Sequence, residues 1–299
     1  MAEVLVIGGC AIDLKAGSAA PLVAETSNPG FATATPGGVG RNIAENLARL
    51  GTEVRLVSRV GDDPFGRLVR SETAAVGVDI VGVHTDAERT STYVAVLDSD
   101  GSLEVAVADF AAIDTMTPEH LDPQWFTDVG YVVLDANLPL PVIEAAITQA
   151  DRTGAMTVLE TVSVAKARRL VPLHERGLAV HLITPNEDEY AALTELIDPL
   201  LLASWVCLRR GADGSRVISG PGTRPVDIRA VFVPESEIRD VTGAGDAATA
   251  GLIHALVRGG ALEEAVAFGH EVAAHTVRSE LTVATDLADL VFRTPPPPE

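Results

Sequence analysis

A doubly wound α/β fold is predicted for this 299-residue chain by three observations. Val4–Ile7 is an apolar, β-favouring run closed by two glycines. From residue 129 onward strand-like and helix-like segments alternate regularly. Near residue 244 a glycine turn opens a long apolar helix.

Taken in order, Val4–Ile7 with Gly8-Gly9 behind it has the pattern of a first strand buried on both faces. Residues 14–36 are rich in Ala, Ser, Thr, Pro and Gly and lack a helical period. A connection of that length predicts a lid or binding segment. Asn42–Leu50 reads as a helix, with Ile43, Leu47 and Leu50 on one face and Gly51 as its stop. Val54–Val60 reads as a strand and Pro64–Val76 as a helix. Thr92–Leu97 and Leu103–Ala108 flank Asp98-Ser99-Asp100-Gly101, a hairpin signal that adds a second piece to the lid, near 90–110.

The alternation then follows: strand Val132–Leu134, helix Pro141–Ala150, strand Thr157–Glu160 and helix Val164–Val171. It continues with strand Leu182–Thr184, helix Glu187–Leu196, strand Trp205–Leu208, and helices Ala247–Val257 and Leu262–Val277. Such alternation implies βαβ units on a largely parallel sheet. No internal repeat or linker divides the chain, so residues 1–294 are expected to form one domain, and the proline run of 295–299 a disordered tail.

Composition narrows the function. The 47% hydrophobic content suits a globular protein with a full core, and the net charge of −20 opposes a nucleic-acid or membrane-surface role. Cys10 and Cys207 have neither disulfide-scaffold nor zinc-site spacing. The opening residues lack a signal peptide's basic and apolar regions, and no apolar run is long enough to span a bilayer, so a cytoplasmic location is expected. Ile7-Gly8-Gly9-Cys10-Ala11-Ile12 lacks GxGxxG, which disfavours a nicotinamide-dependent dehydrogenase. The only lysines, Lys15 and Lys166, stand outside any GK[ST] context, which excludes a P-loop ATPase.

The strongest chemical signal is Asp240-Val241-Thr242-Gly243-Ala244-Gly245-Asp246. Small residues directly before a helix leave unpaired amides at its positive end, a place for an anion, and Asp246 stands ready to accept a proton from an attacking hydroxyl. A glycine turn capped by Asp is the plainer alternative. About 200 residues earlier, Pro36-Gly37-Gly38-Val39-Gly40-Arg41-Asn42 opens another helix. Together the two segments resemble, in order and spacing, the paired signatures of the ribokinase-like (PfkB) carbohydrate kinase family.

That resemblance covers nearly the whole chain and implies a three-layer α/β/α sandwich with a small β lid. It implies ATP, Mg²⁺ and K⁺, Asp246 as general base, and the amides of Gly243, Ala244 and Gly245 as an anion hole. It places Asp13, Gly38, Asn42 and Asn137 against the acceptor. It places Asn186, Glu189, Gly211 and Gly214 near the nucleotide, with Glu189 meeting Mg²⁺ through water. Asp240, Thr242 and Ser279 become the monovalent-cation ligands. The chain departs from the family pattern at Arg209 and Arg210, where relatives often carry Thr or Lys followed by Leu; these arginines could meet a phosphate or simply face solvent. It departs again at Ala247-Ala248, where an aromatic residue commonly follows.

Within the family, residues 26–30, 38–47 and 160–167 resemble pseudouridine kinases, although Thr161 stands where their pattern has Pro. Ser27 and Asn28 offer donors and acceptors suited to a uracil edge. Lys166 near a helix start could meet a carbonyl or phosphate, and Tyr93 could pack on a base. The resemblance thus implies ATP-dependent phosphorylation of the 5′-hydroxyl of pseudouridine, with another sugar or nucleoside as the alternative acceptor. A non-catalytic ligand sensor of the same fold is opposed by the intact Asp246. A homodimer is expected from the exposed edge of the lid.

Overall fold

A computed structural model describes residues 2–220 and 222–293; the expected tail at 295–299 lies outside them. The strands are β1 (Val4–Ile7), β2 (Ala11–Ser18), β3 (Gly30–Gly37), β4 (Val54–Gly61), β5 (Asp79–Ala87), β6 (Thr92–Leu97), β7 (Leu103–Asp109), β8 (Tyr131–Asp135), β9 (Met156–Glu160), β10 (Val180–Ile183), β11 (Ala203–Arg209), β12 (Ser215–Ser219) and β13 (Val226–Ile228). The α-helices are α1 (Val39–Arg49), α2 (Pro64–Ala75), α3 (Ala111–Asp114), α4 (Leu140–Thr153), α5 (Val164–Arg168), α6 (Val171–Glu175), α7 (Glu187–Thr194), α8 (Ala244–Val257) and α9 (Leu262–Thr276).

Nine strands form one sheet in the order β13-β12-β11-β10-β9-β8-β1-β4-β5. It is parallel from β5 through β11, and the two strands at the far edge run antiparallel. The central strands read as unbroken apolar runs because both faces are covered; every residue of Val4–Ile7 is buried. One face packs on α1, α8 and α9 through a cluster that includes Ile43, Leu47, Leu252, Ile253 and Val272. The other packs on α4 and the short helices α3 and α5–α7 through Phe126, Ile143, Ile147 and Leu173. This is the expected three-layer α/β/α sandwich.

The lid is a separate four-stranded sheet, β3-β2-β6-β7. Residues 14–36 therefore fold as an antiparallel hairpin, with Asp13 opposite Thr35 and Lys15 opposite Thr33. A parallel pairing of β2 with β6, Asp13 opposite Tyr93, joins that hairpin to the expected second one.

One expected boundary moves. The helix predicted over Val164–Val171 is two short helices, α5 and α6, because Ser163 caps only one turn and Pro172 begins the next. Asp79–Ala87, for which the sequence reading named no element, is a parallel edge strand. Among the described residues no helix is long and apolar enough to cross a membrane.

Candidate active site

In a parallel sheet the carboxyl ends of neighbouring strands open a crevice along one edge. Here Gly8 and Gly9 follow β1, Asp135 ends β8, Glu160 ends β9 and Arg209 ends β11. The start of α8 faces them across the crevice.

Asp135 is buried and joins three backbone segments: its Oδ2 accepts from the amides of Gly9 (2.8 Å) and Gly40 (2.9 Å), and its Oδ1 from that of Asn137 (2.9 Å). Burial pushes its carboxyl upward, and those three amides oppose the shift. The join depends on glycine. A Cβ on Gly8 would lie 2.4 Å from Asp135 Oδ2, and one on Gly40 would lie 2.6 Å from the Gly8 Cα. α1 is thereby seated against the end of β1, and Asn42, one turn along, points into the crevice.

Gly243 takes a left-handed conformation at φ 80°, and α8 begins at Ala244. The Ala244 amide closes a turn onto Val241 (3.2 Å). Among the described residues the amides of Gly243, Gly245 and Asp246 have no protein acceptor, so of the three amides expected to form the anion hole only that of Ala244 is engaged. Asn42 Nδ2 donates to Asp246 Oδ2 at 2.9 Å. Burial pushes the Asp246 carboxyl up to about 7; Asn42 and Arg209 pull it down, while Glu160 and Asp135 push with burial.

On the acceptor side, a cleft of about 610 Å³ lies between the lid and the start of α1. Asp13, Lys15, Arg41, Tyr93, Asp240 and Thr242 are among its lining residues. Burial raises the Asp13 carboxyl and the charge of Arg41 opposes it. Arg41 is fixed by a buried ion pair with Glu45 and by donating to Pro36 O (3.0 Å) and Asn42 Oδ1 (3.2 Å). Asn137 is buried, its amide nitrogen near Gly9. Lys166 lies 3.8 Å from Asp114, and its charge reaches Asp135.

Two expected acceptor contacts are not brought into the cleft. Ser27 and Asn28 stand in the turn joining β2 to β3. Asn28 is occupied there, accepting from Val23 N (2.9 Å) and donating to Val23 O (3.0 Å) and Thr26 O (3.3 Å).

On the nucleotide side, Asn186 and Glu189 form a capping box at the start of α7. Glu189 also accepts from Thr161 Oγ1 at 2.6 Å and is buried. With three hydrogen bonds on its two oxygens, it fits a partner reached through water rather than a directly bound ion. No cluster of acidic, His or Cys side chains among the described residues forms a metal cage. Gly211 and Gly214 bracket the turn from β11 to β12, both with positive φ. Asp240 Oδ1 accepts from Thr242 N at 2.8 Å. Residues 239–243 run beside 277–282, where Ser279 lies, as the bond from Arg239 N to Val277 O (2.8 Å) shows.

Asp135 carries no motif, and Glu160, though it opens the 160–167 stretch, was given no role from sequence; an acid ending a buried strand is the signal the two share. The two arginines left open differ. Arg210 forms an ion pair with Asp227 at 2.9 Å, whereas Arg209 is drawn inward to Glu160.

Comparison with known proteins bears on the family and the fold. The model for the pfkB family carbohydrate kinases matches residues 1–288. Pseudouridine kinase of Escherichia coli K12 is 31% identical over 303 aligned positions, covering 95% of this chain and 93% of that protein. Ribokinase of Bacillus subtilis is 29% identical, covering 93% and 94%. Among solved structures, a carbohydrate kinase from Agrobacterium tumefaciens superposes with a TM-score of 0.81 at 31% identity, over 97% of this chain and 96% of that one. Arabidopsis thaliana ribokinase, solved with ribose and ATP, gives a TM-score of 0.81 at 22% identity over 96% and 97%, a likeness of fold.

Proposed function

The chain belongs to the pfkB family of carbohydrate kinases, and from that premise we propose that it transfers the γ-phosphoryl of ATP to the 5′-hydroxyl of pseudouridine. The family's chemistry makes it an ATP-dependent phosphotransferase acting on a small sugar or nucleoside with a divalent cation. The observation that carries the reading is Asp246 at the open start of α8, bonded to Asn42 of α1 across the crevice. The choice of acceptor rests on the identity shared with the E. coli pseudouridine kinase.

In this reading the 5′-oxygen attacks the γ-phosphorus as its proton passes to the Asp246 carboxylate. The bond from phosphorus to the β,γ-bridging oxygen breaks, and its electron pair leaves with ADP. The open amides at Gly243, Gly245 and Asp246 donate to the charge that develops on the transferred group. A carboxyl poised near neutrality suits a proton acceptor at physiological pH. Asp13 and Asn137 orient the sugar hydroxyls, and in the same reading Lys166 and Tyr93 meet the base.

When bound, Mg²⁺ neutralises triphosphate charge, and Glu189 offers its remaining lone pair to the ion's hydration shell. Asp240, Thr242 and Ser279 supply oxygen to K⁺; unchanged rates on replacing K⁺ with a large organic cation would remove that part. The protein works in the cytoplasm as a homodimer joined through the lid. The deciding experiment offers ATP with pseudouridine, uridine, adenosine, ribose and fructose in parallel. The expected result is highest kcat/KM for pseudouridine with a 5′-phosphate as product; preference for ribose or fructose would reassign the acceptor.

A further inference from the structure

Arg209 is the feature this reading leaves unexplained. It ends β11 with its guanidinium drawn inside, the side chain retaining 17% of its exposure. One corner is engaged: Nη2 donates to Glu160 Oε1 at 2.5 Å and lies 3.9 Å from Glu189 Oε2. The other corner is not. Nε is buried without an acceptor, and Nη1 lies against the first turn of α8, where a Cβ on Gly245 would stand 2.5 Å from it. No acceptor bonds Nη1 among the described residues.

A buried guanidinium with idle donors is costly unless something arrives to accept from them. Glu160 does not require it for packing or polarity alone: its Oε2 already accepts from Thr184 Oγ1 (2.7 Å) and Thr249 Oγ1 (3.0 Å). A neutral pair at these two positions would fill the same space without burying charge. What Arg209 adds is fixed positive charge where Glu160, Glu189 and Asp246 converge, beside amides that are themselves without acceptors. Its planar fork matches phosphate oxygens, which a lysine or threonine at this place would not.

We propose that Arg209 is a phosphate-contacting residue, its Nη1 donating to the terminal phosphoryl group of a nucleoside triphosphate at the start of α8. Glu160 is the positioning residue that fixes the guanidinium plane. Arg209 exchanges no proton, since a guanidinium stays charged throughout; it contributes charge and direction while the phosphorus–oxygen bond breaks. Gly245 then has a second purpose, because any side chain there would displace the guanidinium. The inference rests on the kinase reading and deepens it.

The test compares wild type, Arg209→Lys, Arg209→Met and the double variant Glu160→Gln/Arg209→Met, measuring calorimetric affinity for ATP and AMP together with kcat and KM for ATP. The double variant removes the buried carboxylate with its partner, so a folded protein remains if Arg209→Met alone fails to fold. Expected is a loss of about tenfold or more in ATP affinity, AMP affinity within about twofold of wild type, and kcat lower by on the order of 10²-fold; Arg209→Lys recovers part. An unchanged ratio of ATP to AMP affinity in the folded double variant overturns the proposal, as does equal loss for both nucleotides, which marks a structural role. If wild type transfers phosphate to no acceptor, the kinase reading fails, while the affinity ratio still decides whether Arg209 senses the triphosphate.

Discussion

Asn42 and Asp246 are 204 residues apart in sequence and meet through a 2.9 Å hydrogen bond from amide to carboxylate. The bond favours the charged carboxylate and opposes the burial that lifts it. Replacing Asn42 with Leu removes the donor, so Asp246 should hold its proton to higher pH. The acid limb of the kcat/KM profile, expected near 7 in wild type, should move up by about one pH unit, the equivalent of one bond to a charged group. A limb that stays in place would show that another group titrates there.

Asp246→Asn should lower kcat by roughly 10²–10⁴-fold, with the fold retained. Stability should change with a definite sign. Asp246 titrates near 7 when folded, above its ordinary 3.8, so the folded protein holds a proton that the unfolded chain gives up. Stability from this group is therefore fully present below pH 4 and lost as pH rises towards 7. The asparagine variant carries no such loss and should gain melting temperature over wild type at pH 8 more than at pH 5. Equal differences at both pH values would contradict the burial argument, and near-normal turnover would remove Asp246 as the proton acceptor.

Gly40→Ala places a methyl 2.6 Å from the Gly8 Cα. Two backbones meet there, so nothing flexible can yield, and the Asp135 bonds to Gly9 and Gly40 must open. We expect a loss of about 1–3 kcal/mol in denaturant unfolding, accompanied by raised KM for the acceptor. Gly130→Ala, at an ordinary φ and with no atom nearer than 3.9 Å to its Cβ, serves as the control for a glycine-to-alanine change without crowding.

The lid tests the assembly. Val105 and Val107 on the edge strand β7 are 52% and 61% exposed, and Phe31 on the opposite edge strand is 59% exposed. Val105→Lys/Val107→Lys should convert the dimer to monomer by light scattering, because charge on an exposed edge blocks strand addition. A wild type that is already monomeric at micromolar concentration would refute the assembly.

Much of this architecture was legible because its signals are local. The hairpin of β6 and β7 announces itself through Asp98-Ser99-Asp100-Gly101, and α1 and α8 through glycine turns before apolar periods. β2 and β3 were hidden because AIDLKAGS and GFATATPG do not alternate in polarity; they pair over an open cleft rather than a core, and β3 is exposed along most of its length. Asp135 and Glu160 were illegible as site residues, and Arg209 was left open between phosphate and solvent, for a different reason. Each is a single side chain at a strand end, and only the parallel order β11-β10-β9-β8 brings them to one edge. Ser27 and Asn28 show the converse: suitable chemistry in the sequence, held at a lid turn by Asn28's bonds to its own loop.

The glycine contact between β1 and α1 also bears on how this catalyst can be retrained. Gly8 and Gly40 admit no side chain, and Asp135 accepts from the amides of Gly9 and Gly40, so the seat of α1 against β1 is fixed in shape. On the lid sheet, Lys15, Thr33, Tyr93 and Leu103 line the cleft without any such close backbone approach. Selection for a new acceptor, in nature or in a mutant library, should therefore meet less backbone resistance at these lid strands than at the junction of β1 with α1.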